Sequence, residues 1–334
     1  MFRFITYIMK DIICLGIEST AHTFGVSVIK GKKILSNEKL SYTTEKGGIH
    51  PSEASLFHKN NKDLVLKLAL EKSNLSLKDV NLISYSQSPG LPPCLLVGMN
   101  LAKELSFKLK IPIVGVNHCI AHLEIGRLTT KAKDPVLLYV SGANTQVIAY
   151  EGKKYRIFGE TLDQGTGNFI DSFARYIGLG FPGGPKIYEL ALKGKNYIEL
   201  PYTVKGMDFS LSGILTNLKQ KFDSKKYDIN DLSYSLQETV FAMLTEVAER
   251  AMAHCNKKEL LLGGGVCCNK GLQEMTKIMC KERNAKFFVP ENQYLVDNAA
   301  MISYLGILKY NAQGPDKIID INPSERTDDV EVSW

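Results

Sequence analysis

"IICLGIESTAHTFGVSVI", residues 12–29, is the stretch on which the fold turns. An apolar run ends in a small polar turn and gives way to a second apolar run, the pattern of a β-hairpin. The pattern returns at residues 135–150 as "PVLLYVSGANTQVIAY". Strand and helix signals follow each copy. As a pair, the hairpins predict an α/β chain of two related halves with a cleft between them. Single hairpins of this kind also occur in unrelated α/β chains, so the pattern alone leaves both readings open.

After the first hairpin the sequence predicts a helix over 54–73, a strand over 81–90, a helix over 95–109 and the strand "IPIVGV" at 111–116. Asn117 is a residue type suited to cap a following helix. In the second half, helices are expected over 167–178, 186–194 and 231–255. A buried strand over 259–266 then ends in three glycines, a helix begins near Asn269, and the last helix covers 297–310. The resulting division is a first lobe at 1–134, a second lobe at 135–296 and a helical segment 297–322 that rejoins the first lobe. Residues 1–10 read as an extension, with Met9 a candidate start, and 323–334 as a tail or a linker to a further domain.

The 334 residues are 44% hydrophobic and 23% charged, a globular balance that fits neither disorder nor a fibrous repeat. No apolar run approaches the roughly 20 residues of a membrane span. The opening "MFRFITYIMK" is short for a signal peptide and lacks a small-residue cleavage site. Seven cysteines without framework spacing or a C-x-x-C fit a reduced, cytoplasmic chain. The formal charge of +6 permits an anionic partner such as nucleic acid, but the lysines are scattered rather than clustered.

"NHCIAHLEIGR", residues 117–127, places His118 and His122 four apart, on one face of a helix. That spacing suits two metal ligands and equally two ordinary helix residues. A zinc-protease H-E-x-x-H needs a glutamate beside the first histidine; here that residue is Cys119, which reads as a small buried side chain. Gly263, Gly264 and Gly265 at a strand end allow close approach of a ligand or simply a tight turn. "GFPGGPK" at 180–186 is a second such loop, and "SPGLPPCLLVG" at 88–98 leads into a helix N-terminus that suits an anion. No G-x-x-x-x-G-K-[ST] is present, which excludes a P-loop. Asp171 follows "GTGNFI" on a predicted helix, while Asp297 opens the last helix, where ordinary capping explains an aspartate.

In order along the chain come "GIESTAHTFGVSVI", "GGIHPSEAS", "NHCIAHLEIGR", "YVSGANTQVIAY", "DQGTGNFIDSFAR", "GFPGGPKI", "KGMDFSLSGI", "LLLGGGVCCNKGL" and "LVDNAAMI". This combination resembles the universal tRNA threonylcarbamoyladenosine transferase family. Its bacterial members are called TsaD, and its archaeal and eukaryotic members are the catalytic subunit of the KEOPS complex, formerly named O-sialoglycoprotein endopeptidases. The resemblance extends from Asp11 to Trp334, and "LVDNAAM" and "RTDDVEVSW" are similar to the archaeal and eukaryotic branch. It implies the actin-like ATPase (ASKHA) fold shared with sugar kinases, with two related lobes around a central cleft. It implies transfer of a threonylcarbamoyl group from threonylcarbamoyl-AMP to N6 of adenosine 37 in ANN-decoding tRNAs. It implies one divalent metal ion, iron or zinc, at positions matching His118, His122, Tyr139 and Asp297; a mixed N/O donor set suits those ions better than Mg²⁺. The matching positions for the acyl donor are Tyr139, Val140, Ser141, Gly142, Ala143, Asp171, Gly184, Tyr188 and Asn269. The implied partners are tRNA, a small atypical kinase subunit that is fused in some members, and a small dimerising subunit, with no membrane.

Three positions depart from the family's pattern. Ala143 stands where a second glycine is usual, so a left-handed backbone there would be strained. Tyr188 replaces a glutamate that would contact ribose, and Ser52 replaces an arginine. Two readings of other classes compete. An actin-fold sugar or acetate kinase needs acidic Mg²⁺-binding residues, for which Glu18 is the one candidate, and leaves the histidine pair unexplained. A non-catalytic assembly subunit would bind nucleotide and partners without transfer.

Overall fold

In the computed structural model, which describes residues 12–45 and 47–334, the two hairpins open two five-stranded sheets of matching strand order. The first sheet contains β1 (Ile13–Glu18), β2 (Thr23–Lys30), β3 (Lys33–Ser41), β4 (Leu82–Ser88) and β5 (Ile113–Asn117), arranged β3-β2-β1-β4-β5. The second contains β6 (Val136–Val140), β7 (Thr145–Glu151), β8 (Lys154–Glu160), β11 (Glu259–Gly263) and β12 (Lys286–Phe288), arranged β8-β7-β6-β11-β12. In each, the first three strands form an antiparallel meander and the next two join in parallel. The extension expected at residues 1–10 lies outside the described residues.

Helices separate and cover the sheets. On one face of the first sheet lie α1 (Pro51–Ser73) and α2 (Pro92–Leu109), packing Val65, Ala69, Leu101 and Leu105 against Leu15, Ile17 and Phe24. Its other face meets α3 (His118–Thr129) and α10 (Ala299–Gln313). These two helices form a middle layer, because the same core cluster takes in Leu137, Tyr139 and Leu261 of the second sheet. The far face of the second sheet packs Leu138, Val140 and Val147 against α4 (Thr166–Tyr176) and α7 (Ile229–His254). Strands buried on both faces explain why β1 and β6 read as continuous apolar runs. The remaining helices are α5 (Gly184–Ala191), α6 (Ser212–Asp223), α8 (Lys270–Glu282) and the short α9 (Asn292–Leu295). A small ribbon pairs β9 (Val204–Lys205) with β10 (Asp208–Phe209).

The last helix returns across the whole chain. A Cβ on Gly16 would lie 2.3 Å from Ser303 Oγ and 2.5 Å from the Ser303 amide nitrogen, so only glycine admits this approach of α10 to β1. Ser84 Oγ donates to the Ile302 carbonyl at 2.9 Å, and the Ser27 and Ser303 hydroxyls bond to each other. One sequence expectation changes here. The cap of α10 is Asn298, whose side chain accepts from the Met301 amide at 3.1 Å, so Asp297 is not the capping residue. The segment 323–334, read from the sequence as a tail or linker, carries a 3-10 turn at Thr327–Asp329, and its Val330, Val332 and Trp334 pack against the middle layer.

The glycine contact gives a direct test. Gly16→Ala is expected to lower stability by about 1–3 kcal/mol through backbone displacement, measured by urea unfolding; a variant as stable as the parent would refute the packing account.

Candidate metal centre

The middle layer carries the histidine pair. Asn117 starts α3 by accepting the Cys119 and Ile120 amides on Oδ1, at 3.0 and 3.2 Å. His118 and His122 then project one turn apart, with ring centroids 4.8 Å apart, and both are buried. Asp297, placed just ahead of the α10 cap, brings Oδ1 to 3.4 Å from His118 Nε2 and 3.6 Å from His122 Nε2. Ligand atoms of these three residues all lie within 4.8 Å of one another. Tyr139, 1% exposed, stacks its ring 5.0 Å from that of His122.

Glu18 was the site residue that sequence reasoning valued least. It ends β1, is fully buried, and sets Oε2 3.0 Å from His118 Nδ1. Its other oxygen accepts from the Thr20 amide at 2.7 Å and the Thr20 hydroxyl at 2.5 Å. A carboxylate on Nδ1 holds a proton there and orients Nε2 toward Asp297, the arrangement in which Nε2 can serve as the donor to a metal ion. The signal in the sequence was an acidic residue closing an otherwise apolar strand. Lys39, unmarked in the sequence, donates from Nζ to the Asp297 carbonyl at 2.8 Å. His22 Nδ1 stands 3.9 Å from Asp297 Oδ2.

The charges settle in a definite pattern. Burial lowers the His118 pKa, but Glu18 and Asp297 outweigh it and hold the value well above the usual imidazole range. Burial pushes His122 down. Asp297 is driven up by burial and further down by the two histidines, ending well below the ordinary carboxylate value. Burial holds the Tyr139 phenol well above its usual range. Both ring nitrogens of His122 are buried without a hydrogen-bond partner, which is costly unless something else takes their lone pair.

The other candidate residues sit on turns and at helix starts. Val140, Ser141, Gly142 and Ala143 form the turn from β6 to β7, and the Ser141 and Gly142 carbonyls accept amides of Gly167 and Asn168 at 2.9 Å each. Ala143 is not among the described non-glycine residues with positive φ, so the strain expected there does not arise. Gly264 does have a positive φ of 93°, with Val140 packed where a Cβ would stand. Asp171 Oδ1 accepts the Gly183 amide at 2.7 Å and so fixes the loop leading into α5, where Gly184 is the first residue and Tyr188 lies half-buried. Burial raises the Asp171 pKa. That loop crosses to the first lobe, since Phe181 bridges Thr44 and sets its ring edge-on to His22 at 5.5 Å. Asn269 caps α8, accepting from the Gly271 amide at 2.8 Å and donating to Gln237 at 2.6 Å. Ser52 is exposed at the start of α1.

Solved structures share the architecture. Full-length HypF in its phosphate- and nucleotide-bound form superposes with a TM-score of 0.63 at 10% identity, over 91% of this chain and 47% of that one. The activator of 2-hydroxyisocaproyl-CoA dehydratase from Clostridium difficile, bound to ADPNP, gives 0.54 at 12% identity, over 89% and 94%. These likenesses establish an ASKHA fold. At the sequence level, a tRNA N6-adenosine threonylcarbamoyltransferase from Thermococcus kodakarensis is 55% identical over 96% of this chain and 99% of its own. A probable bifunctional tRNA threonylcarbamoyladenosine biosynthesis protein from Methanococcus vannielii is 50% identical over 97% of this chain, which spans 59% of that relative's length. The family model described as TsaD, tRNA N6-adenosine threonylcarbamoyltransferase, matches residues 33–304, and the chain belongs to that family.

Proposed function

We propose that this chain transfers the threonylcarbamoyl group of threonylcarbamoyl-AMP to N6 of adenosine 37 in ANN-decoding tRNAs, in the cytoplasm, as the catalytic subunit of a KEOPS-type assembly. The convergence of His118, His122 and Asp297 beside the β6–β7 turn carries this reading. No described helix is long and apolar enough to cross a membrane, in keeping with a tRNA substrate. The bifunctional relatives favour a partner domain in the same pathway, which we read as the small atypical kinase; a small dimerising subunit completes the assembly. The lobes divide in this reading at residue 134, with 297–322 rejoining the first.

The donor set fits a divalent ion. Two imidazole nitrogens, one carboxylate oxygen and the nearby Tyr139 phenol offer mixed N/O ligation suited to Fe²⁺ or Zn²⁺, and the unpartnered nitrogens of His122 support a ligand there. Such an ion would act as a Lewis acid toward the donor. The chain's own residues do the rest. Glu18 keeps His118 turned with Nε2 inward. Tyr139 to Ala143 line the turn against which the acyl group rests, and Asp171, Gly184, Tyr188 and Asn269 border the nucleoside. The exocyclic amine of adenine is a weak nucleophile, so holding it in line with the carbamoyl carbon supplies much of the rate. Attack there forms the N6–carbon bond, breaks the carbon–oxygen bond to the phosphate and releases AMP together with one N6 proton. The kinase reading leaves the histidine pair unexplained, and its candidate Glu18 is bonded to His118 and Thr20.

The test is to supply threonylcarbamoyl-AMP and matching tRNA, with partner subunits, and assay modified adenosine 37. His122→Ala and Asp297→Asn are expected to lose metal and transfer together while keeping their circular dichroism. Full occupancy and full transfer in His122→Ala would make the pair ordinary helix residues. Glu18→Gln is expected to weaken metal affinity about 10–100-fold, read by chelator competition; unchanged affinity would remove Glu18 from the site. The pH dependence has a definite sign. Without metal, Glu18 and Asp297 favour a proton on His118 despite its burial, and binding must displace it. Affinity should therefore fall as pH falls, by up to about tenfold per unit for one proton; affinity independent of pH between 6 and 8 would contradict this (~one-proton displacement).

A further inference from the structure

Residues 325–334 lie along the helix that carries the histidines and grip it at two points. At its start, Glu325 Oε2 accepts from Asn117 Nδ2 at 3.1 Å and also from the Ser88 hydroxyl. Asn117 has one amide to orient. With Nδ2 held by Glu325 and by Ser88 Oγ at 3.3 Å, Oδ1 must face the Cys119 and Ile120 amides that it caps. His118 is the next residue. Two residues beyond His122, Trp334 Nε1 donates to Glu124 Oε1 at 3.1 Å. Glu124 is 2% exposed and is also held by Tyr155 and Arg127. Between these points the strap engages the second sheet, through Arg326 to Glu160 at 2.9 Å and Thr327 to Gln146 at 3.2 Å.

We propose that this C-terminal strap sets the pose of α3, with Glu325 and Trp334 acting as positioning residues for the histidine ligands. The inference rests on the metal reading above and extends it to a segment with no ligand of its own. Cap orientation fixes where the first turn begins, and the bond at Glu124 fixes how the helix is rotated and translated. Small errors in either would separate His118 and His122 from Asp297, which reaches the site from a different helix.

The experiment measures zinc affinity of the full chain by competition with a chromophoric chelator, alongside thermal unfolding of the metal-free protein. Glu325→Ala is expected to weaken affinity about tenfold, and Glu325→Gln, which keeps an acceptor at Asn117, to recover most of it. Trp334→Phe keeps the apolar packing but loses the N–H, and should also weaken affinity. Arg326→Ala removes the exposed pairs with Glu160 and Asp328 and should leave affinity unchanged, so a general loss of tail packing is told apart from positioning. Should Glu325→Ala fail to fold, Trp334→Phe decides the matter. Wild-type affinity in Glu325→Ala, or in Trp334→Phe when it stands alone, overturns the strap and leaves the metal reading intact. A wild-type chain that binds no zinc overturns both.

Discussion

The docking of the last helix against the first sheet is the contact on which the site depends. His118 and His122 arrive on α3, but Asp297 joins them only because α10 crosses back from the second half and seats Ser303 over Gly16. Closing so long a loop costs entropy that grows only slowly with length, so a close-packed seam can hold it. The bonds between Ser27 and Ser303 and from Ser84 to Ile302 satisfy polar groups within that seam. Any change that lifts α10 by the width of one methyl group moves the carboxylate away from both imidazoles.

Charge gives the site its chemical character. Glu18 and Asp297 bring two negative charges into the middle layer, where Lys39 and a proton on His118 offset them. On the proposed reading a divalent ion exchanges for that proton, and the cluster gains one positive charge. That surplus suits a donor whose leaving group is a phosphate ester. The electrostatics therefore favour metal and acyl-adenylate together, and a protonated His118 in the absence of metal.

Much of this was legible in the sequence, and the failures have physical causes. The hairpins were readable because strands buried on both faces carry unbroken apolar runs. The four-residue spacing of His118 and His122 placed both on one helix face but could not say what they faced. Asp297 and Asn298 are both good capping types, and only the packing of α10 assigns the cap to Asn298 and leaves Asp297 for the site. Ala143 was expected to be strained on a pattern of residue types, yet its turn is held by the Gly167 and Asn168 amides in an ordinary backbone conformation. The tail has no periodicity because it is neither helix nor long strand. Glu325, Arg326, Thr327 and Trp334 each find a separate partner on α3 or the second sheet, and such one-to-one contacts leave no repeating signature.

The repeated architecture explains why two chemically different turns meet in one cleft. Each sheet begins with the same meander, so the β1–β2 turn and the β6–β7 turn occupy equivalent places in their halves. The first turn follows a buried glutamate and contains Thr20 and His22, which put acid and imidazole near Asp297. The second is built from the small residues Ser141, Gly142 and Ala143, with the Ser141 and Gly142 carbonyls pinned by the Gly167 and Asn168 amides. If both turns had kept the charged form, opposing carboxylates would have raised the cost of burial; if both had kept the small form, nothing would fix the histidine tautomer. Division of labour between duplicated turns resolves that conflict. On the proposed reading, it gives one half the task of organising charge and the other the task of making space for a substrate.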